Sequence, residues 1–126
     1  MDGLIDTLAR ALIASPFLVS ALDKTLRPEA ARAEIFALAG RAGFAVPAGP
    51  ALVAVLAVQW IGGVGVMVPE WAPYAAALLI AFLVPVTFAA HAFWTFPAEE
   101  RAMKRDHFFG NVAILGGLLL VLVRAL

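Results

Sequence analysis

PALVAVLAVQWIGGVGVMVPEWAPYAAALLIAFLVPVTFAAHAF, residues 50–93, decides the fold. It holds two apolar runs, Pro50 to Val68 and Trp71 to Phe93, parted only by Pro69-Glu70. Each run is about 19 to 23 residues, and roughly 20 helical residues cross the hydrocarbon core of a bilayer. Backbone polar groups in lipid must be satisfied within the segment, so these runs read as helices. A barrel would show alternating strands of about ten residues instead. The short turn makes the two helices antiparallel neighbours. Trp71 and Tyr74 fit an interfacial aromatic belt.

Two further runs flank this hairpin. Leu4 to Leu22 is interrupted by Asp6 and Arg10, and Phe108 to Leu126 contains Asn111 and Arg124. The first run follows Met1-Asp2-Gly3, which lacks a positive residue, and no small-x-small cleavage site comes after it, so it reads as a retained helix. The expected fold is an all-α transmembrane four-helix bundle, one integral-membrane domain over residues 1–126, with a short interfacial helix in the first loop.

Composition agrees. Of 126 residues, 63% are hydrophobic and 14% charged. Soluble domains have about 45–50% apolar residues and roughly a quarter charged. The surplus needs lipid as its solvent. Nine basic residues balance nine acidic ones, and no basic tract stands out, which argues against a nucleic-acid partner. Cysteine is absent, which excludes disulfides, thiol catalysis and thiolate metal sites.

The long loops carry the charge. In loop 23–49, the stretch from Pro28 to Leu38 reads as a helix, with Pro28 at its first position and Gly40 or Gly43 at its end. Ile35, Leu38 and Ala39 share one face, as in a helix lying in the membrane interface. In loop 94–107, Pro97 precedes Glu99 and Glu100, and Arg101, Lys104 and Arg105 follow. That order suits the helix dipole, so the last helix is expected to start near Pro97 and project beyond the lipid. Both loops must lie on one side. They hold seven basic residues, which places them in the cytoplasm and both termini outside.

Ionisable groups inside a span usually face the bundle interior or water. Measured from the long-loop side, helical rise puts Arg10 roughly 18 Å deep, Gln59 about 13 Å, Thr87 about 9 Å and Asn111 about 5 Å, with His91 and His107 near the surface. Thr87, His91 and Trp94 are spaced to share one helix face, as are His107 and Asn111. Asp6 and Arg10 are spaced to pair. Each feature also has a plain reading. Arg10 can snorkel or satisfy Asp6. Gln59 and Asn111 can be interhelical glue, and Gly62-Gly63 and the Ala113/Gly117 pair can be packing sites. His91 and Trp94 can be interface residues, and Lys24 suits a helix end without further purpose. Two histidines with no third ligand make a poor metal or haem set, and no metal site is expected.

The ordered set of features resembles a known family. It comprises the early Arg10, Ser20-Ala21-Leu22-Asp23-Lys24, Gly43-Phe44-Ala45-Val46-Pro47, Gln59-Trp60-Ile61-Gly62-Gly63, His91-Ala92-Phe93-Trp94, and His107-Phe108-Phe109-Gly110-Asn111-Val112-Ala113-Ile114-Leu115-Gly116-Gly117. These are similar in order and spacing to the DoxX family of small bacterial four-helix membrane proteins, over nearly the whole chain. The resemblance implies a bundle in the bacterial inner membrane. Some members are similar to a thiosulfate:quinone oxidoreductase subunit, and others associate with redox-defence enzymes. The position of Gln59 is often acidic in relatives, so a buried ion pair with Arg10 would be lost here.

The leading expectation is a redox-associated subunit holding a quinone-like ligand between its helices. Arg10 and Gln59 would supply donors at the inner end. His91, of a residue type that ordinarily titrates near neutral pH, would hydrogen-bond a ring oxygen and pass a proton. Thr87, Trp94, His107 and Asn111 would line the ligand's path. The alternative is a non-catalytic anchor that recruits a soluble or membrane redox partner through loops 23–49 and 94–107. Solute transport would require a homo-oligomer.

Overall fold

Prolines and one glycine punctuate the helices. The computed structural model describes residues 2–125, so Met1 and Leu126 lie outside it. Helix α1 spans Asp2–Leu26, α2 Pro28–Arg41, α3 Ala48–Met67, α4 Ala72–Ala90 and α5 Ala98–Val123, with a 3-10 turn at Phe93–Thr95. No strand occurs among the described residues.

Helix α1 ends because Pro28 pushes Arg27 out of helical geometry, to φ −129° and ψ 65°. Helix α2 then starts on Pro28, where a missing N–H costs nothing. It ends at Gly43, whose φ of 86° suits glycine, and the Gly43 and Phe44 amides donate back to the Gly40 and Ala39 carbonyls. Pro97 caps α5, so the last helix begins ten residues before its apolar run, as its charge order implied. Pro16 lies within α1, where the Ser15 hydroxyl donates to the Leu12 carbonyl at 2.7 Å. That bond serves a carbonyl the proline leaves free.

Helices α1, α3, α4 and α5 are each long and apolar enough to cross a membrane. They pack in the order α1–α3–α4–α5, and α5 meets α1 through a smaller contact. The core is small and runs through Ala14, Phe17, Val66, Ala76, Leu79 and Leu118. Many large apolar side chains point outward, including Leu8, Leu12, Ile61, Val84 and Leu120. In lipid such exposure is no burden, and helices associate through close packing and hydrogen bonds rather than by escape from water. The α3–α4 turn leaves Trp71 and Tyr74 exposed at one end. At the other end Arg41 donates to Thr95 Oγ1 at 3.2 Å, so the two long loops meet on one side.

Close packing centres on α3. A Cβ at Gly62 would sit 2.5 Å from a Leu79 methyl, one at Gly63 2.7 Å from Leu18, and one at Gly65 2.9 Å from Ala75 Cβ. On α5 only part of the expected small-residue pair is used: Gly117 meets Ile13, while Ala113 is exposed. Gly62→Ala and Gly65→Ala should each cost about 1–3 kcal/mol of stability through overpacking. Gly116→Ala, where the new methyl meets nothing within 4 Å, should be neutral or gain up to about 1 kcal/mol from helix propensity. Unfolding in mixed detergent micelles measures all three, and a reversed ranking would contradict this packing.

Candidate functional site

The expected series of polar residues divides between two ends of the bundle. Toward the long loops, a cavity of about 260 Å³ lies among all five helices. Its polar wall includes Ser20 and Lys24 from α1, Glu34 from α2, Gln59 from α3, His91 at the end of α4 and Asn111 from α5.

Two hydrogen-bonded ladders flank the cavity. In the first, Lys24 Nζ donates to Ser20 Oγ at 2.6 Å and Gln59 Nε2 donates to the same oxygen at 3.1 Å. Ser20 and Lys24 are one helical turn apart, so they share the face of α1 that meets α3. In the second, Asn111 Nδ2 donates to Thr87 Oγ1 at 3.1 Å, and Thr87 Oγ1 donates to the Leu83 carbonyl at 2.6 Å. These ladders tie α1 to α3 and α4 to α5, which is the glue reading of Gln59 and Asn111. The gluing is incomplete, however. Gln59 Oε1 and His91 Nδ1 are buried without a partner. Rotating the Gln59 amide by half a turn lets Ser20 donate to its oxygen, but one amide atom still lacks a partner. An unpaired buried polar atom costs about 1–3 kcal/mol.

His107 is exposed, with its ring 5.2 Å from that of His91, edge to face. It stands behind His91 rather than on the cavity wall, and Thr87 stands behind Asn111 in the same way. Trp94 departs from expectation. Helix α4 stops at Ala90, and His91 leaves helical geometry at φ −126° and ψ 29°. The i, i+7 spacing from Thr87 therefore no longer sets a shared face. Trp94 is 53% exposed and packs edge-on against Phe88, Phe93 and Phe108, away from the cavity.

Arg10 is the main correction. It is only 7% exposed, but it lies at the opposite end of the bundle. Its Nη1 donates to the Met67 carbonyl at 2.6 Å and the Val66 carbonyl at 3.4 Å, and its Nε donates to Asp6 at 2.9 Å. Arg124 Nη1 donates to the other Asp6 oxygen at 2.7 Å. Helical side chains lean toward the N-terminus, which carries this long guanidinium away from the cavity. There it meets the free carbonyls that end α3.

Sequence reasoning passed over Ser20, Glu34 and the interior role of Lys24. The i, i+4 spacing of Ser20 and Lys24 was the available signal. The partner across the bundle was not visible.

The clamp at the terminal end gives a direct expectation. Arg10→Leu strips a buried charge partner from Asp6 and leaves two carbonyls unserved, and should cost ~3 kcal/mol or more. Arg124→Gln breaks a pair whose arginine side chain is 69% exposed and should cost under about 1 kcal/mol. Equal losses in thermal unfolding would show that Arg10 does not carry the clamp.

A family comparison bears on this architecture. The DoxX family model matches residues 5–92, which covers α1 to the end of α4. The Phe108–Gly117 stretch, part of the ordered set that carries the resemblance, lies beyond the matched residues. No curated protein and no solved structure matches the chain. The family match covers most of the sequence, including Ser20, Lys24, Gln59 and His91, and four helices have the length and apolarity of spans; the chain belongs to the DoxX family and is a multi-pass membrane protein.

Proposed function

We propose that this protein is a redox-associated subunit of the bacterial inner membrane that holds a quinone-type ring in the cavity between its ladders. The observation that carries the reading is the pair of buried, unpartnered atoms, Gln59 Oε1 and His91 Nδ1, in two residues that line one cavity. With the Gln59 amide turned so that Ser20 donates to Oε1, Nε2 is free to donate to one ring oxygen while His91 donates from Nδ1–H to the opposed one; in the reduced ring a hydroxyl can instead donate to Oε1. When bound, a quinone supplies the electron-carrying chemistry that the side chains themselves lack.

The chain's own groups then have distinct tasks. Lys24 supplies a cation on the α1 wall and holds Ser20 in place. Ser20 and Gln59 fix the amide that meets the ligand. His91 holds or passes a proton at Nδ1, and exposed His107 beside it leads toward the long-loop surface. Asn111 keeps α5 against α4 and closes the far wall. Arg10 has no part in the cavity; its guanidinium serves the fold. The long loops face the cytoplasm in this reading, as their arginines and lysines imply.

The anchor reading has its own supporting observation. Arg41 stacks over the Phe96 ring at 3.9 Å and Lys104 lies over it at 4.6 Å, so both long loops form one surface. Arg101 is tied to the Phe96 carbonyl, which leaves exposed Glu99, Glu100 and Arg105 for a partner.

Binding of a benzoquinone analogue to purified protein separates the two. Gln59→Leu and His91→Ala should each weaken binding about tenfold, the worth of one good hydrogen bond. Arg124→Gln should leave binding unchanged. Indistinguishable or absent binding would overturn the cavity reading. Loss of a co-purifying redox enzyme on Arg105→Glu, with the cavity variants harmless, would establish the anchor.

A further inference from the structure

The polar cavity has an apolar neighbour. A groove of about 500 Å³ runs between α2, α3 and the second half of α4, and no polar side chain lines it. Ile35, Leu38, Val55 and Val86 line both the groove and the cavity. Ile35 and Leu38 are three residues apart on α2, so they stand on one face as a partition. The polar chamber is on one side of that partition and the oily groove on the other. Among the described residues of α2 only Ala31 is buried, so this partition is carried on a lightly anchored helix.

We infer that the ligand is a single-tailed amphiphile that reaches the cavity sideways from the bilayer, its head against Gln59 and His91 and its tail in the groove. This rests on the cavity reading above. The argument is one of phase. A head group entering through the long-loop surface would draw its tail out of oil, at about a fourfold penalty in equilibrium per methylene. A path past Ile35 and Leu38 lets the head reach hydrogen-bonding atoms while the tail stays among apolar side chains. The wall that the two spaces share, Ile35, Leu38, Val55 and Val86, selects the occupant. A second copy of the chain or a bulk acyl chain would fill the groove but leave Gln59 and His91 unserved.

The test uses full-length protein in phosphatidylcholine nanodiscs. The probes are 2,3-dimethoxy-5-methyl-1,4-benzoquinone and the same ring carrying a decyl tail. Ala42→Phe and Ala89→Phe place bulk in the groove. Both should weaken the tailed ring at least tenfold and the tailless ring less than twofold. Tailed-ring binding that survives groove filling would overturn this inference alone. Failure of either ring to bind the unaltered protein would overturn the cavity reading and this one together. A fold-independent arm uses unaltered protein and a tail-end diazirine. Labelling should fall on peptides 35–46 and 85–89 and disappear under excess tailed ring. Labelling spread over every lipid-facing helix, or unmoved by competitor, would overturn the assignment.

Discussion

The glycine face of α3 is the contact on which the remaining geometry depends. Leu18 of α1 and Leu79 of α4 occupy the space that Cβ atoms at Gly63 and Gly62 would need. Helix α3 thereby touches α1 and α4 at once, and both walls of the bundle are referenced to it. Gln59 lies one turn before these glycines. The same approach that seats Leu18 brings Gln59 Nε2 to 3.1 Å from Ser20 Oγ. A bulkier α3 would push α1 outward, and the first ladder would open before the second.

Lipid makes these polar ladders consequential. In water a broken Gln–Ser contact is replaced by solvent; inside a span it leaves polar atoms in hydrocarbon. The structure answers this almost everywhere by local means. Thr25 returns to the Ala21 carbonyl, Thr87 to Leu83 and Ser15 to Leu12. Arg10 covers the carbonyl end of α3. Against that background, two buried side-chain atoms among the described residues are left without partners, Gln59 Oε1 on α3 and His91 Nδ1 just past the end of α4, both from residues that line one cavity.

The sequence made the four spans, the helix in the first loop and the early start of α5 legible, because run length, Pro28, Gly43 and Pro97 are local signals. Gln59 and Asn111 do line one cavity, and Thr87 is hydrogen-bonded to Asn111 beside it. Arg10 failed for a reason residue counting ignores. Helical rise sets the depth of its Cα, but a side chain of that length is placed by its head group, and helical geometry tilts it toward Asp6. Trp94 failed because periodicity was carried past the helix end at Ala90. Lys24 was undervalued because its significance comes from α3, and one sequence does not state which helix faces which.

The placement of Lys24 also changes how Gln59 should be understood. The family resemblance implies an acid at this position in relatives and, with it, a buried pair with Arg10. Here Arg10 is engaged at the other end, and the cation nearest Gln59 in the hydrogen-bond chain is Lys24, through Ser20. An acid at this position would therefore face Lys24 and draw its ammonium into an ion pair, and its carboxylate would accept from Ser20. Glutamine holds the same hydroxyl without taking up that charge. It leaves Lys24 without an ion-pair partner on α3, on the wall of a cavity that Gln59 and His91 also line. On the proposed reading, a neutral ligand whose oxygens accept hydrogen bonds meets there a wall that no internal salt bridge has closed.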